Sequence, residues 1–339
     1  MKITTIVPAY KHQFLPELLG SLLHQTVRPH KVLFSDDSPD GAFTRLLECE
    51  PLAGLASALN VTVVPGPRTG AFANWHHALQ TYGGDTGLFH MLCDDDIVYP
   101  SFYERHLHAH AQGRFGVTVS RRWTALEGGQ PVRDLPVPAA VAEHPSHLLA
   151  LSPDVLFQHT CGRGANWLGE VSNAVFRAER ARHIMRPEVD GVGYLGLEDI
   201  GAFLCTSLDQ PVGYINDHLG YFRTSAHQAS QQHYGRPLKL AHGAYIGLSI
   251  IGHRAGHLSA DQLRYAVRAV GSSVLQHYAD QDDLRALVAS LRGWIGGAAD
   301  GEDGFLHAWH AYAGQPWVLA EARARGAVAS PAAAPALAA

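Results

Sequence analysis

Strand-type and helix-type segments alternate along the first hundred residues, and this alternation constrains the fold more than any other feature of the sequence. Short apolar or β-branched runs have the length of strands, and the segments between them space their apolar residues with a helical period. The strand-type runs are residues 2–7, 31–35, 61–64 and 88–93, and the helix-type segments are residues 14–25, 42–49 and 72–81. The pattern predicts an α/β fold with a Rossmann-like, mostly parallel sheet flanked by helices.

Three of these predicted strands end in polar or turn-forming residues. The three turns are Pro8-Ala9-Tyr10, Asp36-Asp37 and Asp94-Asp95-Asp96. In open parallel sheets, ligands bind beyond the carboxyl ends of the strands. We therefore expect the three turns to form one ligand site.

The aspartate triplet indicates a cation. Three adjacent carboxylates at the end of a buried strand repel one another, so positive charge should compensate them. Mg²⁺ or Mn²⁺, bound through one or two carboxylates and the phosphates of a substrate, would supply that charge. A solvated acidic turn or a helix cap is the alternative interpretation.

The composition excludes several other classes of protein. With 339 residues, 46% of them apolar, the chain is long enough for about two structural units with a sizeable core. A formal net charge of -5 gives no global signature of nucleic-acid binding. No window approaches the ~20 uninterrupted apolar residues that span a bilayer. The start does not read as a secretory signal and the four cysteines lack CxxC spacing, so we expect a cytoplasmic protein with free thiols.

Five segments in a fixed order carry a more specific signal. They are TIVPAY (5–10), LLGSLLHQT (18–26), KVLFSDDSPDG (31–41), RTGAFANWHHAL (68–79) and LCDDDIVYP (92–100). In this order and spacing they resemble the nucleotide-sugar-binding half of glycosyltransferase family 2, whose fold is called GT-A. The resemblance is strong over the first 110 residues and continues more weakly through LGLEDIGAFL (195–204) and YFRTSAHQAS (221–230).

The resemblance implies a set of donor-binding residues. Pro8, Ala9 and Tyr10 would line the base pocket, and Asp36 or Asp37 would contact the base, with a slight preference for Asp36. Gly70 and Asn74 match a segment that runs beneath the nucleotide, where glycine allows close approach of the backbone. Arg68 would meet the diphosphate, or else belong to a solvated loop.

The resemblance also implies a metal site that departs from the family pattern. The family usually has Asp-x-Asp, and here Cys93 occupies the position of the first aspartate. Asp95 would bind Mn²⁺ or Mg²⁺ together with Asp96, and Asp94 would lie near the ribose or the metal. His227, which follows Arg223 after three intervening residues rather than one, would be a further ligand or a loop residue without that role.

Glu198-Asp199 matches the family's acidic pair at the start of a helix, where simple capping is the alternative. The resemblance implies that Asp199 is the general base and that Glu198 contacts the acceptor or supports the site. A single displacement of the nucleoside diphosphate would invert the anomeric configuration. Trp167 falls where acceptor sugars stack, although core packing is the more frequent role of such a residue.

These observations predict the organisation of the chain. Residues 1–232 would form a GT-A catalytic domain, with a nucleotide-sugar-binding half (1–110) and an acceptor-binding half (111–232). Residues 233–324 would form a helical C-terminal region, and residues 325–339 a disordered Ala/Pro-rich tail.

The predicted function is metal-dependent, inverting transfer of a sugar from a nucleoside-diphosphate sugar to a hydroxyl of a glycan, lipid-linked or small-molecule acceptor. Contact with a membrane surface and formation of a homo-oligomer are left open. A non-catalytic binding module of the same fold is one alternative. A nucleotidyltransferase is another, although the glycine-rich loop expected after the first strand is missing from residues 9–18.

Overall fold

The computed structural model describes residues 1–224 and 235–315. Its strands are β1 (Ile3–Ala9), β2 (Lys31–Asp36), β3 (Val61–Pro65), β4 (Leu88–Met91), β5 (Ile97–Val98), β6 (Val117–Ala125), β7 (Pro131–Asp134), β8 (Leu148–Leu151), β9 (Ala174–Arg177), β10 (Glu188–Val189), β11 (Val192–Gly193) and β12 (Val212–Arg223). Its helices are α1 (Leu15–Leu23), α2 (Ala42–Leu47), α3 (Leu52–Ala58), α4 (Ala71–Tyr82), α5 (Phe102–Gln112), α6 (Ala139–Ala142), α7 (Pro153–Cys161), α8 (Ala181–Met185), α9 (Glu198–Ser207), α10 (Arg236–Arg254), α11 (Ala260–Tyr278), α12 (Arg285–Ile295) and α13 (Gly301–Ala313).

The predicted parallel arrangement of the first four strands is confirmed. They lie in the order β3-β2-β1-β4 and pair in parallel, because each connection passes through a helix that returns the chain to the same end of the sheet. All residues of β1 are buried, as expected for a central strand covered on both faces. This topology brings the carboxyl ends of β1, β2 and β4 to one edge.

The second half of the sheet is mixed. The strand order continues β9-β6-β12-β5, with β9 antiparallel to both β4 and β6. The sequence pattern predicts two strands at 212–215 and 219–222, but β12 is one strand of 12 residues. Shifts of register between Ile215 and His218 and between His218 and Tyr221 interrupt its pairing with β6, which explains why its apolar pattern breaks.

The C-terminal helices share a hydrophobic core with the sheet. Ile246 and Ile250 of α10 and Trp309 of α13 are buried in the same cluster as Phe176 of β9 and Ile200 of α9. The helical region therefore packs on the α/β unit of the same chain, a choice that the sequence left open. Within the described part of the chain, no helix combines the length and apolar character needed to span a bilayer.

Candidate active site

The loop after β1 is fastened to the acidic turn after β4. In the parallel register Ala9 lies opposite Asp36, so the ends of β1 and β2 are adjacent. One oxygen of the Asp94 carboxylate accepts hydrogen bonds from the N–H groups of Tyr10 and Lys11, each at 2.5 Å. Burial raises the pKa of Asp94 to about 6, while these N–H bonds act in the opposite direction. Asp94 thus holds the loop predicted to line the base pocket.

The side chain of Lys11, a residue to which the sequence resemblance gave no role, lies at this turn. The ammonium group of Lys11 forms an ion pair with the carboxylate of Asp95. Burial lowers the pKa of Lys11, but the charge and hydrogen bond of Asp95 outweigh that effect and leave the pKa raised. Lys11 remains 37% exposed, so the pair borders solvent. The sequence signal that could have indicated this pair is a basic residue just after the end of one strand and an acidic triplet after the end of another.

Asp96, a predicted metal ligand, is buried and contacts the end of β12. It is 1% exposed, and its carboxylate accepts a hydrogen bond from the N–H of Arg223 at 3.0 Å. The buried guanidinium of Arg223 in turn donates to the carbonyl of Asp95 at 2.8 Å and to the carboxylate of Glu17 at 2.6 Å. Asp96 therefore anchors the end of β12 to the acidic turn.

The two aspartates after β2 have different partners. Asp36 accepts hydrogen bonds from the N–H groups and hydroxyls of Ser38 and Thr44, with N–H distances of 2.9 and 3.0 Å. Burial alone would raise the pKa of Asp36, but these bonds lower it. Asp37 accepts from the N–H of Arg68 instead. Because Asp36 is used by its own turn, the geometry favours Asp37 as the base contact and reverses the slight preference for Asp36.

The segment predicted to run beneath the nucleotide begins α4. Gly70 has a φ of +119°, a conformation that disfavours side chains, and a Cβ there would meet nothing within 4 Å. Glycine is thus required by the backbone conformation, with open space above it. Asn74 is buried and donates to the carbonyl of Ser35 at 2.9 Å, so it braces β2 from below. The side chain of Arg68 is exposed.

The acidic pair stands at the start of α9, as predicted. Asp199 is half-buried and accepts a hydrogen bond from the N–H of Ile200 at 2.7 Å. Burial, followed by the charge of Glu170, raises the pKa of Asp199 to about 7. Glu198 is buried and accepts from the N–H of Gly196 at 3.1 Å. The two carboxylates therefore differ: Asp199 faces partly outward with a pKa near neutrality, and Glu198 holds the preceding turn.

Glu170 links the two acidic centres, and no local sequence pattern pointed to it. Its carboxylate accepts two hydrogen bonds from the guanidinium of Arg122, at 2.8 and 2.6 Å. Its charge raises the pKa of both Asp96 and Asp199. Glu170 belongs to a loop and Arg122 to β6, so only the folded sheet brings this pair to the site.

A cavity of about 420 Å³ opens beside Glu170. Its lining is mixed, with charged and polar groups next to a short apolar wall. The residues around it are Arg122, Thr124, Arg133, Asp134, Leu135, Pro136, Asn166, Glu170, Phe222 and Thr224. Glu170, which lines this cavity, is also close enough to Asp199 for its charge to contribute to raising the pKa of Asp199.

Trp167, predicted to contact the acceptor, is buried in the core. Trp167 is 1% exposed, and its indole N–H donates to the hydroxyl of Thr160 at 2.9 Å. This burial corrects the expectation of sugar stacking, since no face of the ring is available. His227 lies outside the described residues.

The placement of the carboxylates shows what kind of divalent-cation site the chain could form. Among residues 1–224 and 235–315, no group of three or more histidine, cysteine, aspartate or glutamate side chains is placed to hold a metal. Asp95 is the triplet member that pairs with the partly exposed Lys11, and a hard oxygen ligand of this kind suits Mg²⁺ or Mn²⁺. The donor set therefore fits a cation completed by substrate phosphates, and it does not fit a site closed by protein ligands alone.

Comparisons with known proteins agree with the α/β fold. Residues 4–164 match the sequence profile of the family described as Glycosyl transferase family 2. TarS from S. aureus, solved with UDP-GlcNAc, aligns with a TM-score of 0.53 and 13% identity over 92% of this chain and 91% of TarS. A mannosyltransferase from Pyrobaculum calidifontis, solved with GDP-Man and Mn²⁺, aligns with a TM-score of 0.52 and 15% identity over 96% of this chain and 85% of that protein. No curated protein matches the sequence.

The fold is that of the GT-A glycosyltransferases, and the family match supports an enzyme of the glycosyltransferase class. Residues 4–164, just under half of the chain, match glycosyltransferase family 2 in sequence.

Proposed function

We propose that the chain transfers a sugar from a nucleoside-diphosphate sugar to an acceptor hydroxyl, with inversion at the anomeric carbon and with Asp199 as the general base. The observation that carries the proposal is the environment of Asp199. A carboxyl group with a pKa of about 7 is poised to accept a proton near neutral pH, and it remains accessible.

The donor would bind across the ends of β1, β2 and β4. Tyr10 and the backbone at Pro8 and Ala9 would border the base, with Asp37 accepting from it, and Arg68 would face the diphosphate. The similar proteins solved with UDP-GlcNAc and with GDP-Man support a donor of this class. They carry different bases, so they do not favour one base for this chain.

Asp95 would hold a divalent cation, and the released Lys11 would then be free to contact the diphosphate. The cation's chemical contribution would be to neutralise negative charge on the leaving diphosphate. Asp94 would keep the loop after β1 in place, because its carboxylate already holds two N–H groups of that loop.

The acceptor would enter through the cavity beside Glu170. Its hydroxyl proton would pass to Asp199 while the hydroxyl oxygen forms a bond to the anomeric carbon. The bond from that carbon to the diphosphate oxygen breaks in the same step, and the electron pair leaves with the nucleoside diphosphate. Attack opposite the leaving group inverts the configuration.

The decisive experiment replaces the proposed base. Asp199→Asn should lower transfer by about 10²- to 10⁴-fold, because only the proton acceptor is removed. Nucleoside-diphosphate release would be followed with UDP- and GDP-sugars across an array of glycan and glycolipid acceptors, and donor binding by calorimetry should be unchanged. The variant should also melt no lower than the native protein at pH 8, since a carboxylate with a raised pKa is unfavourable in the folded state at that pH.

Full transfer by Asp199→Asn with intact donor binding would exclude the proposed base. Donor binding without transfer by the native protein on any acceptor would instead favour the non-catalytic module. Cytoplasmic location, contact with a membrane surface, self-association and the predicted domain boundaries stay predictions.

A further inference from the structure

A small hairpin precedes the acidic pair. Strands β10 and β11 have two residues each and pair antiparallel, apart from the main sheet. A pair this short is not stable in water without support. Only residues 194–197 separate it from Glu198, so the position of the hairpin influences where α9 begins.

Two side chains of α13 hold this hairpin by its carbonyl groups. The indole N–H of buried Trp309 donates to the carbonyl of Gly193 at 3.0 Å. The Nε2 atom of His310 lies 2.8 Å from the carbonyl oxygen of Gly191. A carbonyl only accepts, so His310 donates through Nε2. Both bonds reach across more than 100 residues of sequence.

Helix α10 leaves room for the same hairpin. A Cβ added at Gly247 would lie 2.5 Å from the carbonyl oxygen of Gly193, and one added at Gly243 would collide with the ring of Trp309. Glycines four residues apart share one face of a helix. A glycine in a helix interior costs ~1 kcal/mol relative to alanine. The close approach of the hairpin and of the indole explains why glycine stands at both positions despite that cost.

The turn between the hairpin and α9 is also in contact with α10. Gly196 has a φ of +102°, and a Cβ there would lie 2.6 Å from Cβ of Leu240. The N–H of this glycine donates to Glu198, next to Asp199. Tyr245 lies further along α10. Burial raises the pKa of its phenol, and the negative charge of the nearby Asp199 raises it further.

We infer that Trp309 and His310 are positioning residues for the transfer reaction: through Gly193 and Gly191 they fix the segment that aims Asp199. The inference rests on the proposed function, since it assigns a role with respect to that base. The C-terminal helices are thereby part of the active-site framework of the α/β unit.

The test removes each hydrogen bond while keeping the packing. Trp309→Phe keeps a buried aromatic ring without the N–H, and His310→Ala removes an exposed donor. Each variant should lower kcat by about 10- to 100-fold with the Kd for the donor unchanged, because misplacement of a catalytic group affects the chemical step. His310→Gln, which retains an N–H donor, should restore much of the lost kcat.

The matched control lies on the same two helices. Glu302→Gln weakens the ion pair with Arg254 that joins α13 to α10 without touching the hairpin, and it should leave kcat unchanged. Unchanged kcat in both Trp309→Phe and His310→Ala would overturn the inference, whatever the change in Tm. An equal loss of kcat in Glu302→Gln would also overturn it. If Asp199→Asn kept full activity, the proposed base itself would fail, so the two failures are distinguishable.

Discussion

Asp36 and Asp37 are neighbours in the sequence with opposite surroundings. Asp36 is satisfied by Ser38 and Thr44 of its own turn, whereas Asp37 meets the N–H of Arg68 from another loop. The family resemblance implies that one of the two contacts the base and gives only a slight preference for Asp36. The choice depends on which carboxylate the local backbone has already used, and that is a matter of three-dimensional geometry.

Glu170 should tune the proposed base. Its negative charge contributes to raising the pKa of Asp199, so Glu170→Gln should lower that pKa and move the acidic limb of kcat/KM to lower pH. With a pKa of about 7, the native enzyme should retain about a tenth of its maximal rate at pH 6, and the variant should retain more. The glutamine still accepts from Arg122, which limits the structural damage.

A pH–rate profile of kcat/KM checks this prediction. Glu143→Gln, at an exposed position outside the cavity lining, is the matched control and should leave the limb in place. If the acidic limb of kcat/KM lies at the same pH in Glu170→Gln as in the native protein, Glu170 does not raise the pKa of the base.

At the scale of elements, periodicity predicted the regular segments and missed the short ones. The segments with a helical pattern at 72–81 and 259–278 agree within about a turn with α4 and α11, because long amphipathic patterns are strong signals. The hairpin of β10 and β11, with two-residue strands, left no pattern to detect. α13 lies in the predicted helical region, but no individual helix was predicted there, since its histidines, glycines and tryptophan do not form a clear apolar stripe.

The segment SADQ (259–262) has the spacing of a capping box, and the structure confirms that box at the start of α11. Ser259 accepts from the N–H of Gln262 at 3.2 Å, and the side chain of Gln262 accepts from the N–H of Ser259 at 2.8 Å. Ser259→Ala should lower the free energy of unfolding by about 1 kcal/mol and leave transfer unchanged. Urea unfolding measures the effect, with Ser290→Ala as the control, because that hydroxyl only donates to a carbonyl within α12. Equal midpoints for the two variants would contradict the prediction.

Across the described residues, the predicted C-terminal helical region shares one hydrophobic core with the α/β unit. The core that holds Phe176 and Ile200 also holds Ile250 and Trp309, so the helical region and the sheet stabilise one another. Any ligand that binds only the folded chain should therefore stabilise this shared core.

Donor binding should be visible in the melting temperature. A nucleoside diphosphate at 100 times its Kd, with Mn²⁺, should stabilise the protein by about 2.7 kcal/mol. EDTA should remove most of the shift, and Asp95→Asn should reproduce that loss because it removes the proposed carboxylate ligand. Asp303→Asn, an exposed change on α13, is the control. A shift that survives both EDTA and Asp95→Asn would mean that Lys11, without a metal, supplies the positive charge at this site.

The sequence by itself determined the α/β alternation, the polar strand ends and the acidic pair, because these depend on local patterns of apolar and polar residues. Only the tertiary structure decided that Asp96 is buried against Arg223, that Glu170 lies near Asp199, and that Trp309 supports the hairpin before the base. These contacts join residues far apart in the chain. Their partners are chosen by packing and by the need to pair buried polar groups, which no single segment of sequence records.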